Sequence, residues 1–246
     1  AENIKHTGDT DTRIRMLNDN VIIYAGNENQ LDIGNVITVF NEDGGDNDLR
    51  IESENNANMF YVDASTDRIG IGTASPDTML HIVSSTSLKP VLKLDNTNTD
   101  ANPSSLVFDK SVTGANDDIL GRIDFTGQDT GDGETTFARI DGQIQKANAT
   151  AESGKLVFQV AVDNTMTEFM RILGGSGAGG ASEVIFNEGS GDHDFRVESD
   201  GNTHMLFVDA GNSRVGIGDS SPGSPLDVKS GEAANTANFN STSGAT

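Results

Sequence analysis

Cysteine is absent from this chain of 246 residues. That excludes disulfides, thiolate metal sites and a cysteine nucleophile, and it leaves the redox compartment unread. Tryptophan is absent as well, and aromatic residues make up only 5% of the sequence. Hydrophobic residues reach 34%, which is lean for an ordinary globular domain, so a large single-chain core is not expected. Basic residues are scarce: 16 Lys and Arg stand against 38 Asp and Glu, a net charge of −22. Nucleic-acid binding needs a basic face that displaces counterions from phosphate, and an anionic membrane surface needs basic clusters. The charge balance argues against both partners. The acidity serves solubility and mutual repulsion between particles. No apolar run approaches the ~20 residues of a membrane-spanning helix. The opening AENIKHTGDTDT carries no apolar signal segment and no initiator methionine, so the chain is expected to be a piece of a longer product.

What the chain does have is a repeat. The stretch NEDGGDNDLRIESENNANMFYVDASTDRIGIGTASPDTMLHI (Asn41–Ile82) aligns without a gap on NEGSGDHDFRVESDGNTHMLFVDAGNSRVGIGDSSPGSPLDV (Asn187–Val228). Asp48, Arg50, Glu52, Ser53, Met59, Val62, Asp63, Arg68, Gly70, Gly72 and Pro76 recur as Asp194, Arg196, Glu198, Ser199, Met205, Val208, Asp209, Arg214, Gly216, Gly218 and Pro222. A duplicated structural unit is the strongest signal in the sequence.

Each unit reads as β-structure. DLRIES alternates, with Leu49 and Ile51 on one face and Arg50 and Glu52 on the other. MFYVD is apolar on both faces, which predicts a strand buried on two sides. ASTD is a turn, and RIGIG is again a strand, with Ile69 and Ile71 on one face and Arg68, Gly70 and Gly72 on the other. Glycine weakens a strand interior, so two at alternate positions point to the close approach of another group. Neighbouring chains about a common axis are the expected source, with the isoleucines filling a core. Asp63 and Arg68, like Asp209 and Arg214, bracket a turn and are expected to pair across it. Pro76 and Pro222 are expected to end the strand.

Residues 91–173 hold several further expected strands, SLVFD, LGRIDFTG, TTFARIDGQIQ, KLVFQVAV and TEFMRIL, separated by turn-rich stretches. This is the spacing of an antiparallel all-β domain. The expected organisation is therefore an N-terminal module over 1–90 containing the first repeat (41–82), a different β domain over 91–173, and a third part over 174–246. That third part holds a Gly-rich hinge, the second repeat (187–228) and the start of a further module.

The chemical motifs carry little. GSGAGG (Gly175–Gly180) matches G-x-G-x-x-G, but ASEVIFNE follows it where a dinucleotide site needs a helix; a hinge is the expected reading and no cofactor is implied. Asp46, Asp48, Asp192 and Asp194 sit in acidic, glycine-containing loops and are candidate calcium ligands. Their spacing fits no calcium-loop pattern, and an Asx-type turn is the competing reading. His6, His81, His193 and His204 form no metal-binding pair. No Ser-His-Asp arrangement is supported by its context, so no catalytic residue is assigned and an enzyme is not expected.

The pattern R-[I/V]-G-I-G-x-x-S-P-x-x-x-L-x-[I/V], together with HTGDTDTRIRM and LGRIDFTGQDTGDGETTFARIDGQI, resembles the repeats of bacteriophage tail fibres and related virion appendages. The resemblance covers nearly the whole chain. It implies an all-β, elongated and intertwined homotrimeric fibre, with the duplicated units flanking the antiparallel domain. It also implies a virion location, contacts with other tail or baseplate proteins, and host attachment through a receptor-binding region distal to this chain. Nucleic-acid binding and membrane insertion are not implied. Two alternatives stay open: a bacterial cell-surface or secreted filament or adhesin built from the same repeat, and the shaft of a polysaccharide-depolymerase tailspike.

Overall fold

The computed structural model describes residues 2–5, 7–9, 11–131, 133–175 and 181–229. Among them there is no helix; the chain is all-β, in four sheets. The first sheet is a meander of β1 (Glu2–Lys5), β2 (Arg13–Met16), β3 (Val21–Ala25), β4 (Glu28–Ile33) and β5 (Thr38–Phe40), each antiparallel to the next. The second contains β6 (Leu49–Ser53), β7 (Asn56–Asp63), β8 (Arg68–Ile71) and β9 (Leu80–Ile82). The third is again a five-stranded antiparallel meander: β10 (Ile119–Gln128), β11 (Glu134–Lys146), β12 (Ser153–Val162), β13 (Thr165–Leu173) and β14 (Glu183–Phe186). The fourth contains β15 (Phe195–Ser199), β16 (Asn202–Asp209), β17 (Arg214–Ile217) and β18 (Leu226–Val228). The chain divides into two units, Ala1–Ser104 and Ser105–Thr246, each holding one meander and one repeat sheet.

The duplication therefore runs further than the aligned sequence. The region between the repeats reads as a different domain, yet its meander matches the N-terminal one strand for strand. In the first, Ile4, Ile14, Ile23, Leu31 and Phe40 stand opposite one another across all five strands. In the second, Ile123, Ile140, Phe158, Met170 and Phe186 do the same. The register slips immediately beyond Ile23 and Leu31 in one sheet and beyond Phe158 and Met170 in the other, which leaves Gln30 and Phe169 as the bulged residues. The turns before these strands are alike too. Gly26 and Asn27 both take positive φ, as do Asp163 and Asn164, the geometry that lets a two-residue turn follow the twist of a hairpin. The central strands each bury one aliphatic residue at the same place, Ile22 and Val157.

The two faces of each meander differ, because successive side chains along a strand point to opposite sides. In the second meander one face carries the apolar row, flanked by Leu156, Ile172 and Val184. The other carries ion pairs. Arg122 donates to both carboxylate oxygens of Asp141 at 2.7 and 2.9 Å. Arg139 donates to Asp124 at 2.6 Å, and Arg171 donates to Glu168. The charged face is the covered one: Asp141 is 2% exposed, and Val157 lies between Asp141 and Arg171 in register. Long charged side chains shield apolar surface with their stems. The apolar face is open, with Phe125 53% and Val184 57% exposed. SLVFD, expected as a strand, forms none; its Phe108 instead covers part of this face, seated over Gly121, where any side chain would collide with it.

The guanidinium of Arg122 holds the Asp141 carboxyl below the usual carboxylate range, against the opposing effect of burial. A carboxyl lowered in the folded state stabilises above its unfolded pKa, and that stability is lost as pH falls through the folded value. Replacing Arg122→Ala leaves a buried carboxylate bonded only weakly by Gln143 at 3.5 Å. The expected cost at neutral pH is about 1–3 kcal/mol. Denaturant unfolding of the wild type and of this variant, at neutral pH and below about pH 4, should show the deficit shrinking in acid.

Candidate functional site

The repeated residues come together in one local device, built identically in both copies. The strands β6, β7 and β8 are antiparallel, but β9 lies parallel to β8, as β18 does to β17. A parallel neighbour ordinarily requires a crossover of about a dozen residues or more. Here residues 72–79 suffice, because the strands are very short and the return path lies flat against the strand it leaves. The Ile69 amide donates to the Met79 carbonyl at 2.9 Å, and the Val83 amide donates to the Ile71 carbonyl at 2.8 Å. In the second copy Val215 donates to Pro225 at 2.9 Å and Lys229 donates to Ile217 at 2.8 Å.

The glycines make that path possible. A Cβ on Gly70 would overlap the carbonyl oxygen of Thr73, and one on Gly216 that of Asp219. A Cβ on Gly72 would overlap the Val83 carbonyl and one on Gly218 the Lys229 carbonyl. Gly72 and Gly218 also take φ of +81° and +70°, which a side chain would strain. The expectation that neighbouring chains approach this face is corrected: the approaching backbone is the chain's own. The isoleucine face is not a finished core either, since Ile69 and Ile71 are half-buried and Ile217 is exposed. Nor is MFYVD buried on two sides, because Met59 is exposed and Phe60, Tyr61 and Val62 are half-buried.

Arg68 and Arg214 close the loop. Arg68 Nη1 donates to the Pro76 carbonyl at 3.0 Å, and Arg214 Nη1 donates to the Pro222 carbonyl at 2.7 Å. Both prolines are buried, Pro222 completely. They do not end the strand, as the sequence predicts; Gly72 and Gly218 do that, and the prolines plug the loop that follows. The expected cross-turn ion pairs are corrected in the same way. Asp63 stands opposite Arg68 in register, and Asp209 opposite Arg214, but each carboxylate caps its own turn. Asp63 accepts from Ser65 Oγ at 2.7 Å and the Thr66 amide at 3.1 Å; Asp209 accepts from the Asn212 amide at 2.8 Å. These bonds hold both carboxyls below their ordinary value.

The calcium candidates are placed by an equally local logic. Asn41 bonds the Gly45 amide and carbonyl through its own side chain, at 3.1 and 2.6 Å, and Asn187 bonds Gly191 at 2.9 and 2.7 Å. These are Asx-closed loops. Asp48 accepts from the Ala64 amide at 3.0 Å and Asp194 from the Ala210 amide at 2.9 Å, while Asp46 and Asp192 are exposed. Among the described residues no three His, Asp or Glu side chains converge as a metal site. Of the histidines, His6 lies outside the described residues. His81 faces Asp77 at 3.1 Å, His193 stacks on Phe169 at 4.5 Å, and His204 meets Phe207 edge-on at 5.1 Å. In GSGAGG, all but Gly175 lies outside the described residues.

Two features are not singled out by any motif. One is the pair of open apolar rows. The other is a cleft of about 770 Å³ between the second meander and its repeat, lined by Phe169, Met170, Phe186, His193, Phe195 and Val208. Phe186 and Phe195 stack across it at 4.8 Å. Alternation within the strands, as in EVIF and FMRIL, is the signal that could have marked these residues, and it does not say which face stays open. Comparison of the chain with protein-family models and with curated proteins returns no match.

Gly70→Ala is expected to destabilise the chain by the ~1–3 kcal/mol of overpacking, despite the ~0.5–1 kcal/mol that removing a strand glycine ordinarily returns. Gly216→Ala should behave alike. Gly201→Ala, where a Cβ meets open space, should stay within about 0.5 kcal/mol. Thermal melts of the three variants check this, and a neutral Gly70→Ala contradicts the close approach.

Tyr61 donates its hydroxyl proton to Asp48, which pushes its pKa up to about 12. The equivalent residue in the second copy is Phe207, which cannot do this. Spectrophotometric titration of a Tyr24→Phe chain should show one phenol ionising near 12, and Asp48→Ala should bring it back toward the ordinary value of about 10.

Proposed function

We propose that the chain is a structural, non-enzymatic segment of a bacteriophage tail fibre, assembled as a homotrimer on the virion and serving attachment to the host cell. One observation carries the reading: the chain does not cover its own apolar residues. Among the described residues the buried apolar side chains are Ile22, Val157 and Phe207, with Pro76 and Pro222 in the clasped loops. Many large apolar side chains stand exposed instead, among them Ile4, Phe40, Phe125 and Val184, and contiguous exposed apolar surface marks an interaction site. The tandem modules supply a unit that can be repeated along a fibre, and the Gly-Ile-Gly–Ser-Pro pattern supplies the likeness to phage fibres. The polar groups of the clasped loops are taken up in bonds within the chain, which suits a rigid spacer.

Sedimentation equilibrium of the folded chain should return three times its 25.9 kDa. Antibodies raised against it should decorate the tails of phage particles in electron micrographs. A monomer mass overturns the assembly, and particles left bare overturn the virion location.

A further inference from the structure

We infer that the two open meander faces are equivalent self-docking surfaces: the row Ile4–Ile14–Ile23–Leu31–Phe40 of one copy packs against the same row of other copies, and the row Ile123–Ile140–Phe158–Met170–Phe186 does so in register with it. The inference rests on the oligomeric reading above and names the surface that reading leaves open. Three observations converge on it. Each row crosses all five strands with no charged side chain in it, in a chain of net charge −22. Like-charged copies can therefore meet there without bringing carboxylates together.

The rows are also open to solvent at their edge strands, and their central members Ile14, Ile23, Leu31, Ile140, Phe158 and Met170 are only half-buried. Ile4 is 61% and Phe40 54% exposed, and Phe186 is 49% exposed. Contiguous apolar surface of this kind marks an interaction site, and an antiparallel sheet normally packs its apolar face on a core.

The two rows are alike, and this identifies the occupant. They share the five-residue register, the bulge beside it and the single buried aliphatic residue behind it. A partner that fits both must itself repeat in step with the modules. The chain does so by construction, and an isologous or cyclic contact of a surface with itself is the usual way homo-oligomers close. In the second meander the opposite face is already satisfied by Arg122–Asp141, Arg139–Asp124 and Arg171–Glu168, so that face needs no partner.

The absence of cysteine permits a direct test. Neighbouring residues on one strand point to opposite faces, so Ile14→Cys and Ile123→Cys place a thiol in each row, while Arg15→Cys and Asp124→Cys place one behind it. In the assembled protein the two row thiols should resist a charged maleimide until denaturant is added, and the two rear thiols should react at once. Phe158→Glu should abolish the oligomer by sedimentation, with strand content retained by circular dichroism. A trimer whose row thiols label freely overturns this inference and leaves the oligomeric reading standing. A monomer with row thiols labelled assigns the faces to another partner and overturns both.

Discussion

A β-sheet has two faces, and this chain has enough long side chains to cover only one of them. In the second meander arginine and carboxylate side chains close over the rear face, while the apolar row is covered only in part, by Phe108 at one side and Phe195 at the other. Burial of apolar surface is the main stabilising force in folding, at about 25 cal/mol per Å². A chain that leaves such rows open offers apolar surface to a further layer, and that is the ground of the assembly proposed above. Everything proposed about assembly follows from that shortage, and the shortage follows from a composition with few aromatic residues and 34% hydrophobic ones.

The repeat sheets solve a different problem, how to turn a strand into its own parallel neighbour within a few residues. The solution removes side chains where the backbone must pass, at Gly70 and Gly72, and holds the passing loop with one guanidinium on one carbonyl. Because both carbonyl and arginine come from the same short stretch, the device is self-contained. It therefore tolerates change around it: Thr73 in one copy is Asp219 in the other. That carboxylate is buried and lies 2.7 Å from Lys229, whose hydrogen bond holds its pKa below the ordinary value.

The same self-containment explains which residue expectations failed. The sequence places Asp63 opposite Arg68 correctly, but register alone does not decide which partner a side chain takes. The turn amide nearest Asp63 and the carbonyl nearest Arg68 are closer local choices than a cross-strand pair exposed to water, where an ion pair is worth little. Pro76 reads as a strand terminator because proline lacks a donor, yet its buried position in the loop depends on a fold-back that no local rule contains. The loop acids read equally well as calcium ligands or turn residues, and the decision came from where Asn41 and Asp48 direct their bonds.

The gapless repeat over 41–82 and 187–228, its three antiparallel strands, most strands between the copies and the all-β class were legible in the residues, because alternation, glycine and proline act through neighbours in sequence; the five strands before Asn41 and the short parallel strands β9 and β18 were not. The identity of the glycines' neighbour was not, since a missing side chain announces a close approach without saying whose. Nor was the second duplication. The two meanders share a register, a bulge and an apolar row but little sequence, because many combinations of Ile, Leu, Phe and Met fill one face of a sheet equally well. Which face of the second meander stays open was decided by tertiary structure, through charges such as Arg122 and Asp141 that meet only once β10 and β11 pair in register.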